Sequence, residues 1–162
     1  MFVSFVIPAY NVEKHIVRTL QSVLSQTDMD LEIIVVNDGS TDRTEKVAHE
    51  ILSKSGFSNY KVITKENGGP SSARNRGLKE AQGQYVIFLD GDDYIAPTLV
   101  EELKKAMRTV KEKIDVFCWV YLKVDESGTA LRSQPRFQLD DTYVLLDGPT
   151  TLRKALIERK LW

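Results

Sequence analysis

Tyr85-Val86-Ile87-Phe88-Leu89-Asp90-Gly91-Asp92-Asp93 is the stretch on which the reading of this chain turns. Five apolar residues, rich in aromatic and β-branched types, predict a strand buried on both faces, and three carboxylates follow within four residues where that strand ends. Clustered carboxylates repel one another and are costly to desolvate, so the usual reason to hold them at the edge of a core is a bound cation. With oxygen donors alone and no His or Cys beside them, the expected guest is hard and divalent, magnesium or manganese, shared with substrate phosphates. Taken by itself the stretch fits a solvated acidic turn equally well. The surrounding chain decides.

Working outward, Phe2 to Ile7 reads as a first strand stopped by Pro8, which lacks the donor a central strand needs. Asn11 is expected to cap a helix from Val12 to about Gln26, with Ile16, Leu20, Val23 and Leu24 on its apolar face. Leu31 to Val36 is a second strand and Asn37-Asp38-Gly39-Ser40 a turn. Asp42 with Glu45 reads as a capping pair for a helix carrying Val47, Ile51 and Leu52. Tyr60 to Thr64 is a third strand, and the glycines of Lys65-Glu-Asn-Gly-Gly-Pro70 permit unusual backbone angles. Ser71 or Ser72 opens the next helix, expected to run to about Ala81 with Ala73 and Leu78 inward and Gly83 closing it. After the acidic loop, Thr98 with Glu101 suggests a capping box for a helix bearing Leu99, Leu103, Ala106, Met107 and Val110. Ile114 to Val124 reads as a further strand, Asp125 to Gly128 as a hairpin turn, and Asp140 to Asp147 as enclosing a short apolar run. A last helix near Pro149 would carry Leu152, Leu156 and Ile157.

Strands alternating with helices through short loops predict an α/β fold, a largely parallel central sheet flanked by helices with right-handed crossovers. Ligands of such sheets bind beyond the carboxyl ends of the strands. Those ends carry Pro8 to Asn11, Asn37 to Gly39, Lys65 to Pro70 and Asp90 to Asp93, four loops that can converge on one crevice.

With 162 residues, 42% hydrophobic and 28% charged, the chain can bury a substantial core. Its net charge of -1 gives no global field toward nucleic acid or an anionic membrane, so phosphate binding must be local. The single Cys118 has no internal disulfide partner. Met1 to Pro8 has neither a basic leader nor a long apolar segment, so no signal peptide or transmembrane segment is expected. A cytoplasmic protein follows as the expectation, with peripheral docking at the inner membrane face open to it.

The loops narrow the chemistry. Pro8-Ala-Tyr-Asn11 is neither a dinucleotide fingerprint nor a P-loop. Tyr10 can lie flat against a base or be an ordinary half-buried tyrosine. Asp38 can accept from a base N–H or ribose hydroxyl, or only stabilise its turn with Asn37. Arg74, near a helix N-terminus behind Gly68 and Gly69, can reach a base carbonyl or a diphosphate, or simply sit in solvent. His15 and His49 have no metal-ligand companions.

Jointly, Ile7-Pro-Ala-Tyr-Asn11, Ile33-Ile-Val-Val-Asn-Asp-Gly-Ser-Thr-Asp42, Glu66-Asn-Gly-Gly-Pro-Ser-Ser-Ala-Arg-Asn75 with Gly77, and Phe88-Leu-Asp-Gly-Asp-Asp93 resemble the family-two nucleotide-sugar glycosyltransferases of the GT-A, Rossmann-like fold. The resemblance implies that Pro8, Ala9, Tyr10 and Asp38 surround the nucleobase with Arg74 beside it. Asp90 and Asp92 then match the DxD motif around Gly91, with Asp90 facing ribose or metal and Asp92 ligating the Mn2+ or Mg2+ that bridges the diphosphate. Asn37 departs from the Asp common in the family. The implied reaction moves a sugar from a nucleotide-diphosphate donor to an acceptor hydroxyl, saccharide or lipid-linked, with inversion. The base that takes the acceptor proton lies in a later segment in the family, so it is expected beyond Trp162, and Asp140 and Asp141 read as solvated loop acids. The chain is accordingly expected to be truncated, with residues 1–124 a donor-binding domain and 125–162 the start of an acceptor-side region. Two alternatives stand beside this reading: a nucleotide-binding module without turnover, and a phosphotransferase using Asp90 as nucleophile. The latter gives no role to the other three loops.

Overall fold

Two runs of β-branched residues make the centre of the sheet. β1 (Val3–Ala9) and β2 (Leu31–Asn37) are buried along their whole length, as strands covered on both faces must be. β3 (Tyr60–Thr64) adds to β2 and β4 (Tyr85–Phe88) to β1, giving the order β3-β2-β1-β4 with every pair parallel. The α/β class and the parallel sheet follow the sequence. The structure is a computed structural model that describes residues 2–109 together with Asp125 and Thr129.

Pro8 does not stop the first strand. β1 continues through it to Ala9, in register with Val36 and Asn37. The carbonyls of Phe2 and Val6 accept from β4 and that of Ala9 accepts from Asp38 after β2, so Pro8, in phase with Val6, turns its donorless nitrogen toward the β4 side. Pairing with β4 has already ended there, at Val6 and Phe88, and no hydrogen bond is lost. β4 also departs from expectation. Ile87 is buried but Phe88 is 45% exposed and Tyr85 and Val86 are partly covered, because β4 is the outer strand of this sheet among the described residues.

The helices bury the faces their spacing requires. α1 (Ile16–Leu24) turns Ile16, Leu20 and Val23 fully inward at i, i+4 and i+7, each such burial being worth about 1.5 to 3 kcal/mol. Its first residue lies later than expected because Val12 to His15 form a separate turn and Asn11 adopts a left-handed φ of 53° instead of capping. α2 (Thr44–Lys54) buries Ala48 and Leu52, and Asp42 accepts the Thr44 N–H at 2.9 Å. Glu45 lies within reach of Asn37 at 3.2 Å and supplies no cap hydrogen bond.

α3 (Pro70–Leu78) begins at Pro70, with Gly69 before it at φ 84°. Its inward residues are Ala73 and Gly77, whereas Leu78 is 48% exposed. Small residues one turn apart let this helix lie close to the sheet: a Cβ on Gly77 would stand 2.3 Å from Val6 Cγ1. Gly83 closes no helix but passes beside Ser4, to which it donates at 2.7 Å. α4 (Leu99–Thr109) buries Val100 and Leu103, with Leu99 only partly covered.

By contacts the chain divides into Met1–Lys104 and Lys105–Trp162. The expected turn at Asp125 to Gly128 is bracketed by Asp125 N–H to Thr129 O at 3.0 Å and Thr129 N–H to Asp125 Oδ1 at 2.9 Å. The expected strand from Ile114 to Val124, Cys118, Asp140, Asp141 and the last helix lie outside the described residues. Among the described residues no helix is long and apolar enough to cross a membrane.

Candidate functional site

Parallel pairing places the carboxyl ends of β1, β2 and β4 side by side, and the loops there meet in detail. At the end of β2, Asp38 donates its backbone N–H to the Ala9 carbonyl at 2.9 Å, fastening the second loop to the first. Its side chain is almost wholly buried and fully engaged: Oδ1 accepts from Lys65 Nζ at 2.6 Å and Gly68 N–H at 3.1 Å, and Oδ2 from Gly69 N–H at 2.7 Å. Burial raises the Asp38 pKa, but the Lys65 ammonium and the two glycine amides outweigh it and hold the carboxyl below the usual aspartate range. Asp38 thus shapes the Asn67-Gly68-Gly69 loop that opens α3.

Asn37, at the position where the family commonly has Asp, is buried and uses both ends of its amide. Oδ1 accepts from Ser40 N–H at 3.1 Å, while Nδ2 donates to Glu45 at 3.2 Å and faces Thr64 Oγ1 at 3.4 Å. A carboxylate here would meet Glu45 with like charge and no donor. The departure is therefore matched by its local partner.

Pro8 and Ala9 are buried at the end of β1, while Tyr10, immediately after, is 49% exposed. The bend that turns Tyr10 outward is held by residues the sequence reading did not single out as a set. Asn11 N–H donates to Ser40 Oγ at 3.1 Å, and Asn11 Oδ1 accepts from Thr41 N–H at 2.9 Å. Val12 N–H donates to Thr44 Oγ1 at 2.8 Å and Glu13 N–H to Asp42 Oδ2 at 3.1 Å. Asn tolerates the left-handed backbone better than most residues, the one signal that pointed here.

The acidic loop follows β4. Leu89 N–H donates to the Val6 carbonyl at 3.0 Å, and Asp93 N–H to the Asp90 carbonyl at 3.0 Å, closing a turn around Gly91 and Asp92. Gly91 packs against the first loop so closely that a Cβ would stand 3.1 Å from the Pro8 carbonyl and from Val12 Cγ2. Asp90 pairs with Arg74 of α3 at 2.5 Å, with both side chains partly exposed. Asp92 projects into solvent. Partial burial first, then the charges of Asp92 and Asp90, push the Asp93 pKa up, a sign that negative charge in this loop is under-compensated.

The structure thus brings Pro8, Ala9, Asp38, Gly91, Asp90 and Arg74 into one contiguous cluster, with Tyr10 and Asp92 exposed at its edge. Among the described residues no three His, Cys, Asp or Glu side chains form a complete metal cage. Two carboxylates with open solvent beside them suit a partly hydrated hard cation whose remaining ligands come from a diphosphate.

The family model for glycosyl transferase family 2 matches residues 4–158, and the chain belongs to that family. It is 45% identical over 161 residues to the uncharacterized glycosyltransferase EpsJ of Bacillus subtilis, covering 99% of this chain and 45% of EpsJ. It is 35% identical to the uncharacterized glycosyltransferase YibD of Escherichia coli, covering 97% of this chain and 44% of YibD. The chain therefore spans somewhat under half the length of these relatives. Among solved structures it is similar to S. aureus TarS 1–349 in complex with UDP, with a TM-score of 0.62 and 34% identity over 67% of this chain and 32% of that one. The same TarS fragment in complex with UDP-GlcNAc gives a TM-score of 0.58 and 38% identity, covering 67% of this chain and 30% of that one. The fold is that of the GT-A glycosyltransferases.

Proposed function

We propose that this chain is the donor-binding part of an inverting glycosyltransferase that takes its sugar from a nucleoside diphosphate, with a uridine diphosphate sugar the first donor to test. The observation that carries the reading is the meeting of an exposed aromatic ring, a buried carboxylate and an Arg-paired acidic loop at adjacent ends of one parallel sheet. The TarS complexes with UDP and UDP-GlcNAc, at 34% and 38% identity, support the choice of base.

In this reading Tyr10 offers its face to the nucleobase over the buried backbone of Pro8 and Ala9. Asp38 holds the Asn67-Gly68-Gly69 loop in shape beside the base, and Arg74 lies between base and diphosphate while steadying Asp90. Asp90 and Asp92 would hold a divalent cation, which when bound would offset the charge that develops on the leaving diphosphate. Asp90 is oriented through Arg74, and Gly91 gives the loop its close seat on the first strand. The acceptor hydroxyl of a saccharide or lipid-linked acceptor attacks the anomeric carbon from the face opposite the diphosphate, its proton passing to a carboxylate of the acceptor-side region.

Isothermal calorimetry with UDP in manganese and in EDTA tests the donor half of this reading. Metal-dependent binding lost in Asp92→Asn supports it, and equal binding in both conditions overturns the assignment of the acids.

A further inference from the structure

One face of α1 is bonded along its length to the segment that carries the acidic loop. Thr19, fully buried, donates from Oγ1 to the Gly91 carbonyl at 2.9 Å, the peptide oxygen between the two acids of Asp-Gly-Asp. One turn on, Ser22 Oγ accepts the Ile95 N–H at 3.2 Å while donating to the Thr19 carbonyl at 2.7 Å. A further turn on, the Gln26 side chain, 5% exposed, donates to the Ala96 carbonyl at 2.7 Å and accepts from Val100 N–H at 3.1 Å. Alongside them the Arg18 guanidinium lies 3.6 Å from the centre of the Tyr94 ring. Thr19 and Ser22 fall on one face of α1 at i and i+3, and Gln26 follows just beyond its C-terminal end. Each of the three reaches residues 70 or more positions away.

This face has a specific mechanical consequence. Asp90, Asp92 and Asp93 stand within four residues, and a loop of like charges left to itself spreads. The hydrogen bond to the Gly91 carbonyl fixes the central peptide of the turn, and those to Ile95 and Ala96 fix its far side. The helix behind them is in turn held by Ile16, Leu20 and Val23 in the core. A site organised before its ligand arrives does not have to order itself on binding.

We infer that Thr19, with Ser22 and Gln26, is a positioning residue for the cation and diphosphate site, setting the spacing of Asp90 and Asp92 through the Gly91 carbonyl without touching substrate. The inference rests on the reading that these acids bind a divalent cation. Thr19→Val keeps the shape and removes only the donor. In the 162-residue chain, titrated with UDP, it should weaken binding in manganese about tenfold while leaving binding in EDTA within about twofold, and Thr19→Ser should restore the wild-type value. An equal loss in both conditions, or no loss, overturns the inference. Asp92→Asn run beside it separates the two failures: if that variant keeps the manganese dependence, the cation reading itself has failed. Should Thr19→Val show no cooperative melting transition, Ser22→Ala takes its place. That substitution leaves the Ile95 N–H without its acceptor and should show the same manganese-selective loss in smaller degree, and a wild-type response from it contradicts the inference.

Discussion

The two charged corners of the crevice are built on opposite principles. At the end of β2, the Asp38 carboxylate is buried and every face of it is used, by Lys65 and by the amides of Gly68 and Gly69. At the end of β4, Asp90 has a single salt bridge, Asp92 faces water, and Asp93 is pushed toward its neutral form by burial and by its two neighbours. The first corner is complete without a ligand and holds the loops in shape. The second sets three carboxylates against one arginine, and in the proposed reading a cation would offset the rest. A folded chain tolerates such a loop where a ligand repays it, and the contrast separates a framework acid from ligand-binding acids within one site.

The largest expected break of that contrast is Asp92→Asn, which should abolish the manganese-dependent part of nucleotide binding while leaving the melting temperature of the free chain unchanged or slightly higher. Calorimetry and a thermal melt read the two effects. Asp38→Ala should do the reverse. It should weaken nucleotide binding with and without metal, because the loop beside the base loses its anchor, and also destabilise the free chain by about 1 to 3 kcal/mol, because Lys65 and the amides of Gly68 and Gly69 lose their acceptor. Denaturant unfolding checks the second figure, and a wild-type midpoint would mean that Asp38 is not the framework described. Arg74→Gln sits between them. Its pair with Asp90 is partly exposed, so stability should change by less than about 1 kcal/mol while nucleotide affinity falls, and a loss of stability as large as that of Asp38→Ala would erase the distinction.

The smallest effect is on acid stability. The folded pKa of Asp38 lies below the ordinary 3.8, so its contribution is present above that value and lost as pH falls through the depressed one. Stability measured from pH 6 downward should therefore fall less steeply in Asp38→Ala than in wild type. Parallel curves would show that this carboxylate is not preferentially ionised in the folded state.

What the sequence disclosed follows from the range of each interaction. The four strands and the helices between them were legible because apolar runs and helical spacing are local, and the converging loops followed from parallel topology. Pro8 misled because a missing donor matters only if its side of the strand is paired, which depends on where β4 ends. Leu78 was read inward by its apolarity, but close packing of α3 on Val6 needs Gly77 there instead. β4 was taken as buried on both faces because residue type does not reveal which strand lies outermost. The hydrogen bonds of Thr19 and Gln26 left no local signal, since their partners are brought close only by the folded chain.

The central claim is that this crevice holds a nucleoside diphosphate together with a divalent cation, and thermal melts of the chain with UDP, with manganese and with both test it most directly. Ligand at about a hundredfold over its dissociation constant stabilises the folded state by roughly 2.7 kcal/mol. For a domain of this size that raises the melting temperature by about 5 to 10 °C. The account predicts this shift with UDP and manganese together and a clearly smaller one with either alone. The same midpoint in all conditions, repeated with the other nucleoside diphosphates, would contradict it.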